Sequence, residues 1–211
     1  MKPLSNISKL TLSADELQLV NDTQWILTKR VIIDKVCQLF GEVAEDQKKI
    51  MENNRAVLPA ELEKSSPKIT KGENYLQLPY VILDHPRFFD GENIFAIRTM
   101  FWWGNFFSMT LQLSGRYKAL FEESIISNLK AGQAGLFVCV NDDQWQHHFE
   151  AGNYIALELL NAGELERITT RVQFIKLAVK FPLDQWNDIG MLLEKSFTAF
   201  MDMLHDQLPI R

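Results

Sequence analysis

Two runs of strand-forming residues, 94–103 (IFAIRTMFWW) and 106–114 (FFSMTLQLS), meet at Gly104-Asn105, a pair suited to a two-residue hairpin turn. Such a turn sets residue 103 against 106 and Arg98 against Leu111. Alternation then places Ile94, Ala96, Arg98, Met100 and Trp102 on one face with Phe107, Met109, Leu111 and Leu113, which reads as the core. The other face, Phe95, Ile97, Thr99, Phe101 and Trp103 against Phe106, Ser108, Thr110, Gln112 and Ser114, grades from apolar at the turn to polar at the far end.

Upstream, Ser13-Ala-Asp-Glu16 has the form of a capping box, and Ile33, Val36, Cys37, Phe40, Val43, Ala44, Gln47, Ile50 and Met51 recur at helical steps. The pattern predicts a long helix over about 13–53, interrupted near Asn21 or loosened at Gly41. Its stripe serves packing within the chain or, alternatively, a dimerising seam, although Gln47 interrupts the apolar series. Residues 54–74 are polar and punctuated by Pro59, Pro67 and Gly72, so they read as a connecting loop and a candidate lid. The next strand, 75–83, holds Pro79, which favours an edge or a bulge, and Asp84-His85-Pro86-Arg87 should leave the strand.

Beyond the hairpin, 116–130 reads as a crossover helix ending before Gly132, and 136–140 as a short buried strand. Asn141 and Gln144 suggest a brief capped helix with Trp145, His148 and Phe149 on one face, or else a hairpin through Asn141-Asp142; residues 154–160 fit strand or helix. Residues 172–181 alternate as a strand with Lys176, Ala178 and Lys180 on a wet face, and Asp184 can cap a last helix over about 184–206. These elements predict one α+β domain over 1–211: a mostly antiparallel sheet of about five strands in a body of 75–183, covered by the long N-terminal helix and the C-terminal helix.

Composition narrows the function classes. Lys and Arg number 22 against 27 Asp and Glu, a formal charge of −5 without a basic run, which disfavours nucleic acid as a partner. No stretch approaches the roughly 18 apolar residues of a membrane span, and the N-terminus lacks a signal peptide's apolar core, so a soluble cytoplasmic protein is expected. Cys37 and Cys139 fit no metal-ligand spacing, and neither a nucleotide-binding nor a hydrolase motif occurs, so no metal or cofactor is expected.

Candidate chemistry rests on dispersed residues. Arg98, a permanent cation on the expected core face, requires a carboxylate or a bound anion, either as a structural ion pair or as a ligand site. Asp84, His85 and Arg87 cluster at a strand end, where His85 could act as a base oriented by Asp84 while Arg87 holds an anionic group; an ordinary polar turn is the competing reading. His148 and Glu158 complete the candidate polar set. Trp103 and Phe106 are candidates for a pocket wall or a contact between subunits. Two functions follow as expectations: a non-enzymatic module binding a small anionic ligand or a partner such as a second copy, and, as the alternative, an enzyme acting on a small anionic substrate through a His/Asp/Arg cluster. Convergence of Asp84, His85 and Arg98 with His148 or Glu158 around a cavity would favour the enzyme.

Overall fold

The capping box forms as the sequence predicts: Ser13 Oγ accepts from the Glu16 amide at 3.2 Å, and the Glu16 carboxylate accepts from the Ser13 amide at 2.7 Å. It opens helix α1 (Ala14–Asn21) of the computed structural model, which describes residues 10–171 and 173–205. The helix breaks at Asp22, whose Oδ1 accepts from the Trp25 amide at 3.1 Å as α2 (Thr23–Asn53) begins; Gly41 lies within α2 without a break. The chain divides into two compact units, Met1–Gln38 and Leu39–Arg211.

The second unit is an α+β structure built on seven strands: β1 (Lys68–Tyr75), β2 (Leu78–Asp90), β3 (Asn93–Trp102), β4 (Phe106–Ser114), β5 (Phe137–Cys139), β6 (Tyr154–Ala156) and β7 (Phe174–Pro182). Their order is β1-β2-β3-β4-β7-β5-β6, with every pairing antiparallel. Helix α3 (Ala60–Glu63) precedes β1, α4 (Arg116–Ala131) crosses over from β4 to β5 with β7 between them, and α5 (Ala162–Arg171) and α6 (Ile189–Asp202) flank β7. The sheet therefore has seven strands rather than about five. The additions are β1, within the stretch read as a loop, and β6, within the ambiguous 154–160.

The hairpin register differs from expectation by one residue. Asn105 N–H donates to Trp102 O at 3.0 Å across a turn with Gly104 at φ +71°, a conformation glycine adopts without a Cβ penalty. Trp102 thus pairs with Phe106 and Arg98 with Thr110, not with Leu111. Because side chains alternate with period two, this slip exchanges the partner's faces. The more apolar face consists of Phe95, Ile97, Phe101, Phe107, Met109, Leu111 and Leu113, with Thr99 as its one polar member opposite Met109, all buried. It lies beneath the helices: Phe40 of α2 meets Phe107 edge-on at 6.4 Å between ring centroids, Phe121 of α4 meets Phe95 at 6.0 Å, and α6 packs on β4. Arg98 belongs to the opposite, polar face with Ser108, Thr110, Gln112 and Lys176.

Two further expectations are corrected. Strand β2 does not stop at Asp84; one extra residue between Asp84 and Arg87 forms a bulge, and pairing with β3 resumes to Asp90. With β1 alongside, β2 is not an edge, and Pro79 is tolerated near its start, where its carbonyl accepts from the Trp103 amide. Residues 140–153 form neither the capped helix nor the hairpin but an irregular segment laid over the polar face. Asp184 does not cap the last helix; it falls in a 3-10 turn (Leu183–Asp188), and α6 starts after Asp188.

Candidate functional site

Cross-strand pairing lines up Lys68 of β1, Asp84 of β2, Arg98 of β3 and Thr110 of β4 in one row on the polar face. Arg98 meets Asp84 in a bidentate fork, Nε to Oδ1 at 2.7 Å and Nη2 to Oδ2 at 2.9 Å. The pair is largely buried, with side chains 17% and 11% exposed. Such a fork supplies the carboxylate that a desolvated guanidinium requires. Its third contact is to the segment above: Arg98 Nη1 donates to His147 Nε2 at 2.9 Å. A guanidinium has no acceptor, so His147 is the neutral tautomer with its proton on Nδ1. Burial holds the His147 pKa well below the usual histidine value, and the Lys176 and Arg98 cations push it the same way.

The segment is anchored from below at several points. The Tyr75 hydroxyl accepts from the amides of His147 (2.7 Å) and His148 (3.1 Å), and Gln112 donates to Gln144 Oε1 at 2.9 Å. Lys176, on β7 and only 2% exposed, donates to the Gln144 carbonyl at 2.8 Å and also to the Gln146 carbonyl. Burial lowers its pKa to about 8, with Arg98 adding to the effect and Cys139 and Asp143 opposing it. Lys176 was expected to be wet; its ammonium is instead enclosed by backbone carbonyls of the covering segment and lies 5.4 Å from the centroid of the buried Tyr154 ring.

Between the segment and strands β1 to β3 lies a cavity of about 360 Å³. Asp84, Arg98 and His147 form its polar end together with Lys68 and Thr70, while Tyr75, Tyr80, Ile82, Met100 and Trp145 supply the apolar wall. Of the five N–H donors on Arg98, three engage Asp84 and His147, which leaves two for another acceptor. A larger cavity, about 670 Å³, lies between the end of α4 and the start of α5; Leu129, Leu157, Leu160 and Leu165 line it together with Lys130, Gln133 and Glu158. It lacks a comparable set of converging polar groups.

The sequence candidates divide accordingly. Asp84 and Arg98 come together. His85 does not join them: the bulge turns it to the helical side, where it is 1% exposed and its Nδ1 lies 3.2 Å from Gln47 Oε1 of α2. Burial, and secondarily Lys48, lowers its pKa to about 4, so it is a neutral core histidine and the reason a glutamine interrupts the α2 stripe. Arg87 donates through Nε to the Ser66 carbonyl at 3.3 Å, while its backbone exchanges hydrogen bonds with Ser65 Oγ. His148 lies outside the 360 Å³ cavity, with Nδ1 4.0 Å from Glu150, and Glu158 is exposed on the rim of the larger cavity. Phe106 packs between Trp102 and Phe149, whereas Trp103 meets Phe101, so the two do not share a wall. Among the described residues, no group of three or more His, Cys, Asp or Glu side chains is arranged to hold a metal ion.

His147, Tyr75, Trp145 and Lys176 were not singled out as a site by sequence reasoning. For Lys176 a signal existed: it lies between Phe174 and Ala178 on one face of a strand whose other lysine, Lys180, stands near its exposed end, an anomaly like the one that marked Arg98. No family model, curated protein or solved structure matches this chain. Among the described residues, no helix is long and apolar enough to cross a membrane.

Proposed function

We propose that this chain is a binding module for a small, amphipathic, anionic molecule. Its acidic group would take the two remaining Arg98 donors, with Lys68 adding positive charge at the mouth, and its apolar part would lie against Tyr75, Tyr80, Met100 and Trp145. The observation that carries this reading is the forked Arg98–Asp84 pair at the polar end of an aromatic-walled cavity, with the guanidinium oriented before any ligand arrives. An enzymatic reading has less support. His85 and His148 lie elsewhere, and the Nε2 lone pair of His147 is already engaged by Arg98, so the cavity offers no unengaged imidazole as a base. The thiols of Cys37 and Cys139, which form no disulfide, accord with a reducing compartment such as the cytoplasm.

Titration of the full chain with 8-anilinonaphthalene-1-sulfonate, an aromatic sulfonate of the proposed kind, tests this. Saturable one-to-one binding is expected, weakened about tenfold or more by Trp145→Ala, a change at a half-exposed wall residue that leaves the Arg98 fork in place. Non-saturating fluorescence, or equal affinity in Trp145→Ala and Tyr80→Ala, would refute the assignment.

A further inference from the structure

The Met1–Gln38 unit carries apolar surface that it does not bury itself. Helix α1 has no buried residue, and nine large apolar side chains between Leu10 and Val31, Leu19, Val20, Ile26 and Leu27 among them, are each at least 45% exposed. On α2 the 100° helical step sets Ile26 and Ile33 on one side and Leu27 and Val31 on the other, so apolar groups occupy two sides of the same turns. A helix that is apolar on more than one side is normally packed against more than one neighbour. At about 100 Å² apiece, the nine side chains offer on the order of 900 Å², close to the roughly 800 Å² per partner of a stable protein–protein interface.

Charge along the same unit selects the partner. Between residues 10 and 35, Asp15, Glu16 and Asp22 precede Lys29, Arg30 and Lys35, with Asp34 departing from the trend; Lys2 and Lys9 lie before this stretch. A second copy laid antiparallel, with its two-fold axis near residue 25, sets the net-acidic stretch of each chain against the net-basic stretch of the other: Asp15 falls against Lys35, while Glu16 falls against Asp34. The distribution is self-complementary in that orientation and repulsive in the parallel one. We infer that residues 10–35 form the antiparallel interface of a homodimer, in which the helices of one chain cover those of the other.

Sedimentation of the full chain tests this, with a dimer of twice the 24.4 kDa chain mass expected at micromolar concentration. Leu27→Glu/Val31→Glu, at two exposed positions, should weaken that dimer about a hundredfold or more while far-ultraviolet dichroism stays unchanged. Should the double variant fail to fold, Gln24→Cys in the otherwise native chain gives an independent readout. Residue 24 lies beside the proposed axis and should form an inter-chain disulfide on mild oxidation, which Glu16→Cys, far from the axis, should not. A monomer at about 100 μM, a dimer that survives Leu27→Glu/Val31→Glu, or equal cross-linking through residues 16 and 24 would overturn the inference.

Discussion

Removing either member of the Asp84–Arg98 fork leaves the other with too few partners in a largely desolvated place. In Arg98→Met the Asp84 carboxylate, 11% exposed, loses both donors within 3 Å; in Asp84→Leu the guanidinium keeps only His147. Breaking a buried pair from one side costs about 3–5 kcal/mol, and the residual exposure here places each single change near the lower end, about 3 kcal/mol. Replacing both groups removes the charge along with the bond, so Asp84→Leu/Arg98→Met should lie within about 1 kcal/mol of wild type, a coupling of about 5–7 kcal/mol across the cycle. Equilibrium urea unfolding followed by tryptophan fluorescence measures this, with midpoints that shift while the slope stays constant. Single variants within about 0.5 kcal/mol of wild type, or a double variant as costly as the two singles summed, would show that the fork is not the desolvated pair described.

The buried imidazole of His85 makes stability depend on acid. Its folded pKa, about 4, lies below the ordinary 6.5, so the unfolded chain binds more protons between those values. Its contribution is present above pH 6.5 and falls away as pH drops toward 4, by on the order of 3 kcal/mol in all; urea midpoints between pH 7 and 4 should show the decline, and His85→Gln should reduce it by that share while the buried His147 keeps the remainder. At Gly115, φ is +56° and an added Cβ would lie 2.5 Å from Asn93 Oδ1 and 2.8 Å from the Glu92 carbonyl oxygen. Gly115→Ala should therefore cost about 2–4 kcal/mol, measured as a lowered thermal midpoint; an unchanged midpoint would mean that the turn into α4 relaxes freely.

The elements with a sustained apolar pattern were legible. Helix α4, the strands of the hairpin and the stripe of α6 lie close to where the sequence puts them: the two helices bury one face each, and the strands, buried on both faces, carry unbroken runs of β-forming residues. Strand β1 was not legible: only Thr70, Gly72 and Tyr75 are even partly buried, so KITKGENY has no alternating apolar signal to distinguish it from a loop. The site was half legible. Arg98 stood out as a cation among apolar neighbours, and Asp84 was named, but their pairing depends on hairpin register and on the bulge at His85-Pro86. A turn one residue longer than the expected two-residue connection moved the polar residues of β4 to the Arg98 side, which short-range sequence signals do not determine. His147 and Trp145 reach the cavity on an irregular segment whose path is set by Tyr75, Gln112 and Lys176, residues distant in sequence, and no local period announces it.

An open sheet of seven strands leaves two borders where a foreign backbone can add itself and begin aggregation. Here one border is the three-residue β6, too short to template much pairing. At the other, β1 is irregular between Gly72 and Tyr75 and displays Lys68, Lys71 and Glu73 outward, so an approaching strand would meet a bent, charged rail. Oligomers of this chain are thus expected to grow from helices rather than by continuation of the β-ladder, and fibril formation should require that β1 first detach.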